Sequence, residues 1–214
     1  MRIRTKTLIY IVFLSVFVLY IICGTIVEKK QDADRSVVVT VSCGGIQGSG
    51  VIYKITEHTI SILSVKHILS ADTKVFVTFQ DGNMICGEVT YLSEQHDFGF
   101  AEIETKSLSE SQLKKITEVQ IDMNTTFIKN EKIYCLVTDA DKNLQRLDGI
   151  FLTEEFVPDV NDIVLITDCI VSHGMSGGGL FNEQGVFMGI LLAGNGTSSV
   201  FMPVTNIIME ERND

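Results

Sequence analysis

The stretch Ser172-His173-Gly174-Met175-Ser176-Gly177-Gly178-Gly179-Leu180-Phe181 decides the fold and the function predicted for this chain of 214 residues. Within it, Ser176 lies among four glycines, directly before an apolar run. Glycine-rich backbone beside a serine can direct amide groups at a negative charge that develops during a reaction, as a nucleophilic serine requires. The stretch therefore predicts a nucleophile at Ser176.

A base and an acid for this serine occur upstream. His67 ends an apolar, strand-like run at residues 62–67, and Asp97 comes directly before another such run at residues 98–101. Taken singly, each residue has an ordinary structural explanation: a packed or surface histidine, a turn aspartate, a serine in a tight loop. Their combination, in the order histidine, aspartate, serine, instead predicts a catalytic triad.

Four stretches together carry a resemblance to a known family. They are residues 47–53, with the sequence Gln-Gly-Ser-Gly-Val-Ile-Tyr, and residues 63–69, 96–103 and 167–190. With these segments the chain resembles the chymotrypsin-fold (trypsin-like) serine proteases, and most of all the HtrA-like bacterial branch, as a member without a PDZ domain. The resemblance implies an all-β fold of two six-stranded antiparallel barrels with the active site between them.

The resemblance also implies a role for each site residue. Ser176 attacks the scissile carbonyl, His67 accepts its proton and delivers it to the leaving amine, and Asp97 fixes the tautomer of the histidine. The backbone amides of Gly174 and Ser176 form the oxyanion hole. The resemblance thus implies a trypsin-like serine endopeptidase that cleaves proteins or peptides through an acyl-enzyme. Such an enzyme needs no metal or other cofactor.

In this family the position six residues before the nucleophile lies at the base of the primary substrate pocket. Here that residue is Ile170, with Val171 beside it. A basic substrate residue would need a buried carboxylate at this place, because an unpaired buried cation is costly. Asp168 lies two residues too early in the matched register. The resemblance therefore implies a shallow apolar pocket that prefers Val, Ala, Leu or similar residues before the cut.

Three residues depart from the family pattern. Met175 replaces the usual Asp or Asn before the nucleophile, so that no pairing with a newly freed N-terminus is possible at this residue. Gly179 replaces a common Pro and is expected to loosen the loop. Lys66 precedes the histidine where a small residue is frequent, and we expect it near the cleft. Met175 and Gly179 keep an alternative open: a catalytically inactive protease-like domain that serves as a peptide-binding or sensory module at the membrane.

Other residues near these motifs admit further interpretations. The sequence Gly174-Met175-Ser176-Gly177-Gly178 nominally fits the nucleophile motif of the α/β-hydrolase esterases. That fold requires its histidine after its serine, and no histidine follows Ser176. His96 and His173 adjoin the predicted site, but we interpret both as bystanders because a triad needs one base.

The N-terminus predicts a membrane anchor. Residues 8–27 carry no charge over twenty positions, a length that can cross a bilayer as a helix. Arg2, Arg4 and Lys6 precede the run, so the positive-inside rule leaves a stub at residues 1–7 in the cytoplasm and the rest of the chain outside the cytoplasmic membrane. A cleaved signal peptide or a lipidated Cys23 are the alternatives, although residues 21–24 lack the small-residue cleavage pattern.

Strand-like runs dominate the remainder of the chain. After a polar linker at residues 28–35, we expect one protease domain at residues 36–214. Its first barrel lies at 36–105, a polar linker follows at 106–115, and the second barrel with a C-terminal helix lies at 116–211. Turn residues, including an Asp81-Gly82 hairpin signal, separate the runs. The predicted strands are residues 37–42, 49–54, 59–65, 74–79, 84–93, 98–104, 118–122, 132–138, 144–153, 162–167, 179–181, 186–193 and 199–202.

Charge and cysteine content narrow the possible partners. All 27 acidic residues lie beyond residue 27, and the whole chain has a formal net charge of −10. Such a surface should repel nucleic acid and anionic lipid headgroups. The oligomeric state is left open. Four cysteines lie outside the membrane run and permit three disulfide pairings; mostly free, buried thiols are favoured for Cys43, Cys86, Cys135 and Cys169.

Overall fold

The computed structural model of the protein describes residues 17–18 and 37–211. The predicted stub and linker, and all of the predicted transmembrane helix except residues 17–18, lie outside the described residues. No helix within the described part of the chain is long and apolar enough to cross a bilayer. The membrane anchor thus stays a prediction from the sequence.

Six strands form the first barrel. They pair antiparallel and close in the spatial order first, second, third, sixth, fifth and fourth. A short helix, α1, follows the third strand, and the predicted hairpin turn joins the fourth to the fifth, with Gly82 in the left-handed region at φ 81°. The bounds are β1 (Val38–Cys43), β2 (Ile46–Ile55), β3 (Thr59–Ser64), α1 (Lys66–Leu69), β4 (Lys74–Thr78), β5 (Met84–Leu92) and β6 (Gly99–Glu104).

The second barrel has the same number of strands. Around the barrel its strands follow the spatial order fourth, fifth, sixth, third, second and first, and a C-terminal helix follows the last strand. The predicted pair of six-stranded antiparallel barrels is therefore confirmed. Between the barrels lie a 3₁₀ turn (Thr105–Ser107) and helix α2 (Glu110–Leu113). The strands of the second barrel are β7 (Lys132–Thr138), β8 (Leu144–Val157), β9 (Asp162–Thr167), β10 (Gly179–Asn182), β11 (Phe187–Gly194) and β12 (Ser199–Pro203). The C-terminal helix is α3 (Val204–Glu211).

The apolar core extends from one barrel to the other. One cluster of buried side chains includes Ile62 and Leu63 of β3, crosses to Phe187 of β11, and reaches Ile207 of α3. A second, smaller cluster fills the interior of the second barrel around Phe201. Burial of apolar surface is the main favourable term in folding. Because the first cluster is shared, the same burial that closes the first barrel also holds the second barrel and α3 against it.

A buried polar contact joins the two barrels beside this core. The Ser49 hydroxyl, on β2, accepts a hydrogen bond from the backbone N–H of Thr138, on β7, at 2.8 Å. It also lies 3.2 Å from the hydroxyl of Thr138. Both side chains are fully buried. Since a buried hydroxyl without a partner is costly, this pair fixes the register of β2 against β7.

Three local predictions differ from the structure. Residues 118–122 do not form a strand; Gln120 makes only an isolated bridge to Val186. The predicted linker at residues 106–115 contains helix α2, which begins with a capping box between Ser109 and Gln112. His67 lies in α1 rather than at the end of a strand.

The cysteines of the described chain are free thiols. Cys43, Cys135 and Cys169 are buried, whereas Cys86, on β5, is exposed. Burial raises the pKa of Cys169 to about 11 and raises that of Cys135 well above its ordinary value. These two thiols are therefore protonated and pack as small apolar groups near neutral pH.

At two buried threonines, the same substitution should change the free energy of unfolding in opposite directions. Within the described residues, the Thr78 hydroxyl is buried without a hydrogen-bond partner. The Thr167 hydroxyl, equally buried, lies 2.8 Å from that of Ser199. Thr78→Val should raise the free energy of unfolding by about 1 kcal/mol, and Thr167→Val should lower it by about 1–3 kcal/mol, in urea titrations. Equal effects of the two substitutions would contradict this assignment of the hydroxyl contacts.

Candidate active site

Strand pairing brings His67 and Asp97 together. β3 and β6 are antiparallel neighbours, and Ser64 at the end of β3 is paired with Gly99 at the start of β6. The chain leaving β3 and the chain entering β6 therefore meet at one end of the barrel. Helix α1 begins there and carries His67, and Asp97 lies two residues before Gly99.

His67 and Asp97 make two direct hydrogen bonds. Nδ1 of the His67 ring lies 2.7 Å from Oδ2 of Asp97, and the backbone N–H of His67 donates to Oδ1 at 2.9 Å. The carboxylate thus holds both the ring and the backbone of the histidine. Because Oδ2 of Asp97 occupies Nδ1 of the His67 ring, Nε2 is the ring nitrogen that can bind another group.

The charge of Asp97 is stabilised by the same contacts. Burial of its carboxyl opposes ionisation, but the hydrogen bond from the His67 ring, the charge of that ring and the two backbone N–H groups outweigh the effect of burial. The net result is a pKa of Asp97 below its ordinary value. Asp97 is therefore an anion near neutral pH, the state in which a carboxylate stabilises a neighbouring imidazolium.

The turn that carries Ser176 is clamped to the first barrel. The backbone N–H of Ser49 donates to the carbonyl oxygen of Ser176 at 2.7 Å. A Cβ built on Gly48 would lie 2.7 Å from that carbonyl oxygen and 2.3 Å from Cδ1 of Ile68. Because Ile68 is the residue after His67, the serine turn and helix α1 meet across Gly48. The structure thus brings all three predicted triad residues to one region between the barrels.

Two glycines give the serine turn its shape. Gly174 and Gly177 have φ angles of 86° and 88°, in the left-handed region that glycine adopts without strain. A Cβ on Gly177 would lie 2.1 Å from the carbonyl oxygen of Ser49 and 2.4 Å from the hydroxyl of Ser64. Only glycine fits at this position. Its N–H donates to the carbonyl of Leu191 at 2.8 Å, which joins the turn to β11.

The Ser176 hydroxyl donates to the carbonyl oxygen of Leu192 at 3.1 Å. Within the described residues, no hydrogen bond joins this hydroxyl to His67. The backbone N–H groups of Gly174 and Ser176 likewise make no hydrogen bond to any other described residue. Two amide donors beside a serine are therefore available to an oxygen of a bound molecule.

The three departures from the family pattern have definite places in the structure. Met175 is buried in the core of the second barrel, and its Sδ accepts a hydrogen bond from the N–H of Ser172 at 3.2 Å. Gly179 begins β10, where a Cβ would lie 2.6 Å from the Phe181 ring, so that the position is tightly packed. The Lys66 ammonium group donates to the carbonyl of Ser93.

A cavity of about 470 Å³ adjoins Ser176. Val171, predicted as a pocket residue, lines it. Ile170 does not; its side chain is 66% exposed. The Asp168 carboxylate accepts a hydrogen bond from the backbone N–H of Ile150 at 2.6 Å and does not line the cavity either. The remaining lining residues, several of which the sequence motifs did not single out, are Ser172, His173, Leu191, Leu192, Ala193, Gly194, Asn195 and Gly196.

A family model of the trypsin-like peptidase domain matches residues 48–190, which is more than half of the chain. The chain belongs to the trypsin-like peptidase family. The matched segment contains His67, Asp97 and Ser176. The class predicted from the sequence, a trypsin-like serine endopeptidase, is confirmed. A search of the curated proteins finds no significant match to the sequence.

Solved structures of bacterial proteases share the fold of this trypsin-like domain. The Rv3671c protease of M. tuberculosis, in an inactive form, has a TM-score of 0.70 at 12% identity over 85% of this chain and 90% of its own. The serine endoprotease from Yersinia pestis has a TM-score of 0.68 at 21% identity, over 85% of this chain and 65% of its own. The HtrA-type protease AlgW with a tripeptide has a TM-score of 0.70 at 15% identity, over 83% of this chain and 60% of its own. The chain thus shares its fold with an HtrA-type protease.

Proposed function

We propose that the chain hydrolyses peptide bonds through a triad of His67, Asp97 and Ser176 and an acyl-enzyme. The observation that carries the proposal is the pairing of the His67 ring with Asp97 at 2.7 Å, beside a serine turn clamped to the same barrel. This arrangement supplies a base, its orienting carboxylate and a nucleophile in one place. A domain that only bound peptides would have no need of the partly buried, charged partner of His67.

The mechanism begins with a rotation of the Ser176 hydroxyl away from Leu192 and toward Nε2 of His67. As the serine oxygen attacks the scissile carbonyl, Nε2 takes its proton, and the imidazolium so formed is stabilised by Asp97. The amides of Gly174 and Ser176 donate to the developing oxyanion. One such donor contributes roughly 3–4 kcal/mol to lowering the barrier. The imidazolium then protonates the leaving amine, and water releases the acyl group by the reverse sequence.

The substrate class follows from the predicted topology. Residues 8–27, uncharged and preceded by three basic residues, support an anchor in the cytoplasmic membrane with the protease domain outside. Proteins or peptides on that side, including exported or misfolded proteins, are then the accessible substrates. The strongly acidic composition of the domain argues against nucleic acid as a partner.

Specificity is assigned to the cavity next to Ser176. None of its lining residues is acidic, and Val171 lies so close to Gly194 that a Cβ on the glycine would be 2.2 Å from Cγ2 of the valine. The valine thus fills space against one wall of the cavity. A pocket that holds no carboxylate and is partly filled by Val171 favours Val, Ala or Leu before the cut over basic residues.

A fluorophosphonate probe tests the nucleophile. The full-length chain should be labelled covalently, and Ser176→Ala should abolish the labelling because the attacking oxygen is removed. His67→Ala should slow labelling by at least about a hundredfold, since the base contributes on this order. Ser111→Ala, on helix α2 far from the triad in sequence, is the matched control and should label normally.

Labelling that persists in Ser176→Ala, or no labelling of the wild-type chain, would contradict the triad and favour the inactive, peptide-binding alternative.

An impermeant form of the same probe extends the test to topology. Sealed protoplasts that express the wild-type chain should be labelled as fully as lysed ones. Labelling that occurs only after lysis would contradict export of the domain.

A peptide panel that varies only the residue before the cut tests the pocket. The wild-type chain should cleave fastest after Val, Ala or Leu. Val171→Ala should shift the ratio of kcat/KM toward larger apolar residues by roughly tenfold, because a hydrophobic pocket discriminates at about this level per methylene or two. Ile170→Ala is the control outside the cavity and should leave the preference unchanged. Fastest cleavage after Arg or Lys would contradict the assigned pocket.

A further inference from the structure

His96 lies between two carboxylates from distant parts of the chain. Its Nδ1 is 2.5 Å from Oδ2 of Asp162, at the start of β9, and its Nε2 is 3.9 Å from Oε2 of Glu210, on α3. The side chains of Asp162 and Glu210 are only 11% and 12% exposed. The His96 ring also stacks on Phe98, with the centroids 6.3 Å apart. The residue directly before Asp97 is therefore held by the second barrel and by the C-terminal helix.

Glu210 also accepts two hydroxyl hydrogen bonds from the first barrel. The Tyr91 hydroxyl donates to Oε1 at 2.6 Å, and the Ser93 hydroxyl donates to Oε2 at 2.8 Å. The direction of the second bond is fixed by its surroundings, because the Ser93 oxygen itself accepts from the backbone N–H groups of Gln95 and His96 at 3.2 and 2.8 Å. Its hydroxyl proton is then left for Glu210.

These contacts define the conformation of residues 93–97, here called the Asp97 loop. At its first residue, the Ser93 carbonyl accepts from the Lys66 ammonium group, and the Ser93 hydroxyl is bound by Glu210. At its end, His96 is bound by Asp162 and Asp97 by His67. The loop is thus tied to the residue beside the catalytic histidine, to β9 and to α3.

We propose that Glu210 is a positioning residue for catalysis: through Ser93 and His96 it holds the Asp97 loop so that the Asp97 carboxylate stays aligned on His67. Helix α3 then contributes to the rate of the reaction, although Glu210 itself makes no hydrogen bond to a triad residue. The inference rests on the proposed function, since it assigns a task within the same triad. The substrate cavity, lined by residues 171–173, 176 and 191–196, lies outside the loop.

Glu210→Gln tests this link with little change of shape. A carboxylate accepts from both hydroxyls, whereas an amide has one oxygen and presents its NH₂ donor to the other hydroxyl. Misalignment of a catalytic group by a fraction of an ångström lowers kcat without altering substrate contacts. We expect kcat of the full-length chain to fall about tenfold, with KM within about twofold of the wild-type value.

Glu211→Gln is the matched control. Glu211 neighbours Glu210 on α3 and also accepts from a tyrosine hydroxyl of the first barrel, that of Tyr53 at 2.6 Å, but among the described residues it has no hydrogen bond to the Asp97 loop. Its kcat should stay within about twofold of the wild-type value. A fall in kcat equal to that of Glu210→Gln, or no fall in Glu210→Gln, would overturn the proposal.

A double variant separates positioning from general loss of structure. If Glu210 acts only through Asp97, then Glu210→Gln should slow Asp97→Asn by less than about twofold, because the interaction it supports has already been removed. A further tenfold loss in the double variant would show an independent structural effect and would overturn the proposal. Should Glu210→Gln fail to fold, Ser93→Ala breaks the same link from the other side and takes its place in the cycle.

An NMR readout keeps the proposal testable apart from turnover. The proton between Nδ1 of His67 and the Asp97 carboxylate gives its own signal, which should weaken or shift in Glu210→Gln and stay unchanged in Glu211→Gln. If the wild-type chain shows this signal but cleaves no peptide, the proposed function fails while the positioning role is still decided by the variants. An unchanged signal in Glu210→Gln would overturn the positioning role itself.

Discussion

The hydrogen bond from the Ser49 amide to the Ser176 carbonyl, 2.7 Å long, is the contact on which the rest of the site depends. It joins β2 of the first barrel to the turn before β10 of the second. His67 follows β3, the neighbour of β2, so that the bond places the nucleophile turn beside the element that carries the base. The other polar contacts between the barrels, such as Ser49–Thr138 and His96–Asp162, do not involve the serine turn itself.

The residue pattern around this bond follows from its geometry. Gly177 must be glycine because a Cβ would meet the Ser49 carbonyl at 2.1 Å, and Gly48 must be glycine because a Cβ would meet the Ser176 carbonyl at 2.7 Å. The hydroxyl of Ser49 turns the other way and pairs with Thr138. Gly48 and Ser49 of β2 and Gly177 of the serine turn are therefore two halves of one close contact between backbones. On the other side of the cleft, Asp162 and Glu210 hold the loop that ends in Asp97.

Much of the fold was predictable from the sequence, because its strands are apolar, β-branched runs separated by turn residues. Nearly all predicted strands lie within a few residues of their observed bounds. The exceptions have local causes. Residues 118–122 are apolar enough for a strand but find only a single bridge, at Gln120, and α2 depends on a cap at Ser109 rather than on an apolar face.

The candidate site was predictable where it is encoded by neighbouring residues, and not where it depends on distant ones. Ser176 stands out because its glycines adjoin it in the sequence. The contacts of His96 could not be predicted, since Asp162 and Glu210 follow it by 66 and 114 positions and carry no motif. The family register also placed Ile170 at the pocket base, whereas the chain leaves β9 so that Val171 lines the cavity and Ile170 is exposed.

The most direct test of the account is a crystal structure of the chain with a phosphonate bound covalently to Ser176. We expect the phosphonyl oxygen to lie within about 2.7–3.1 Å of the amide nitrogens of Gly174 and Ser176, the distance required of oxyanion donors. Nε2 of His67 should be within hydrogen-bond reach of the serine oxygen, while Nδ1 keeps its contact with Asp97. A phosphonyl oxygen that points away from both amides, or a His67 ring turned from Ser176, would contradict a working triad.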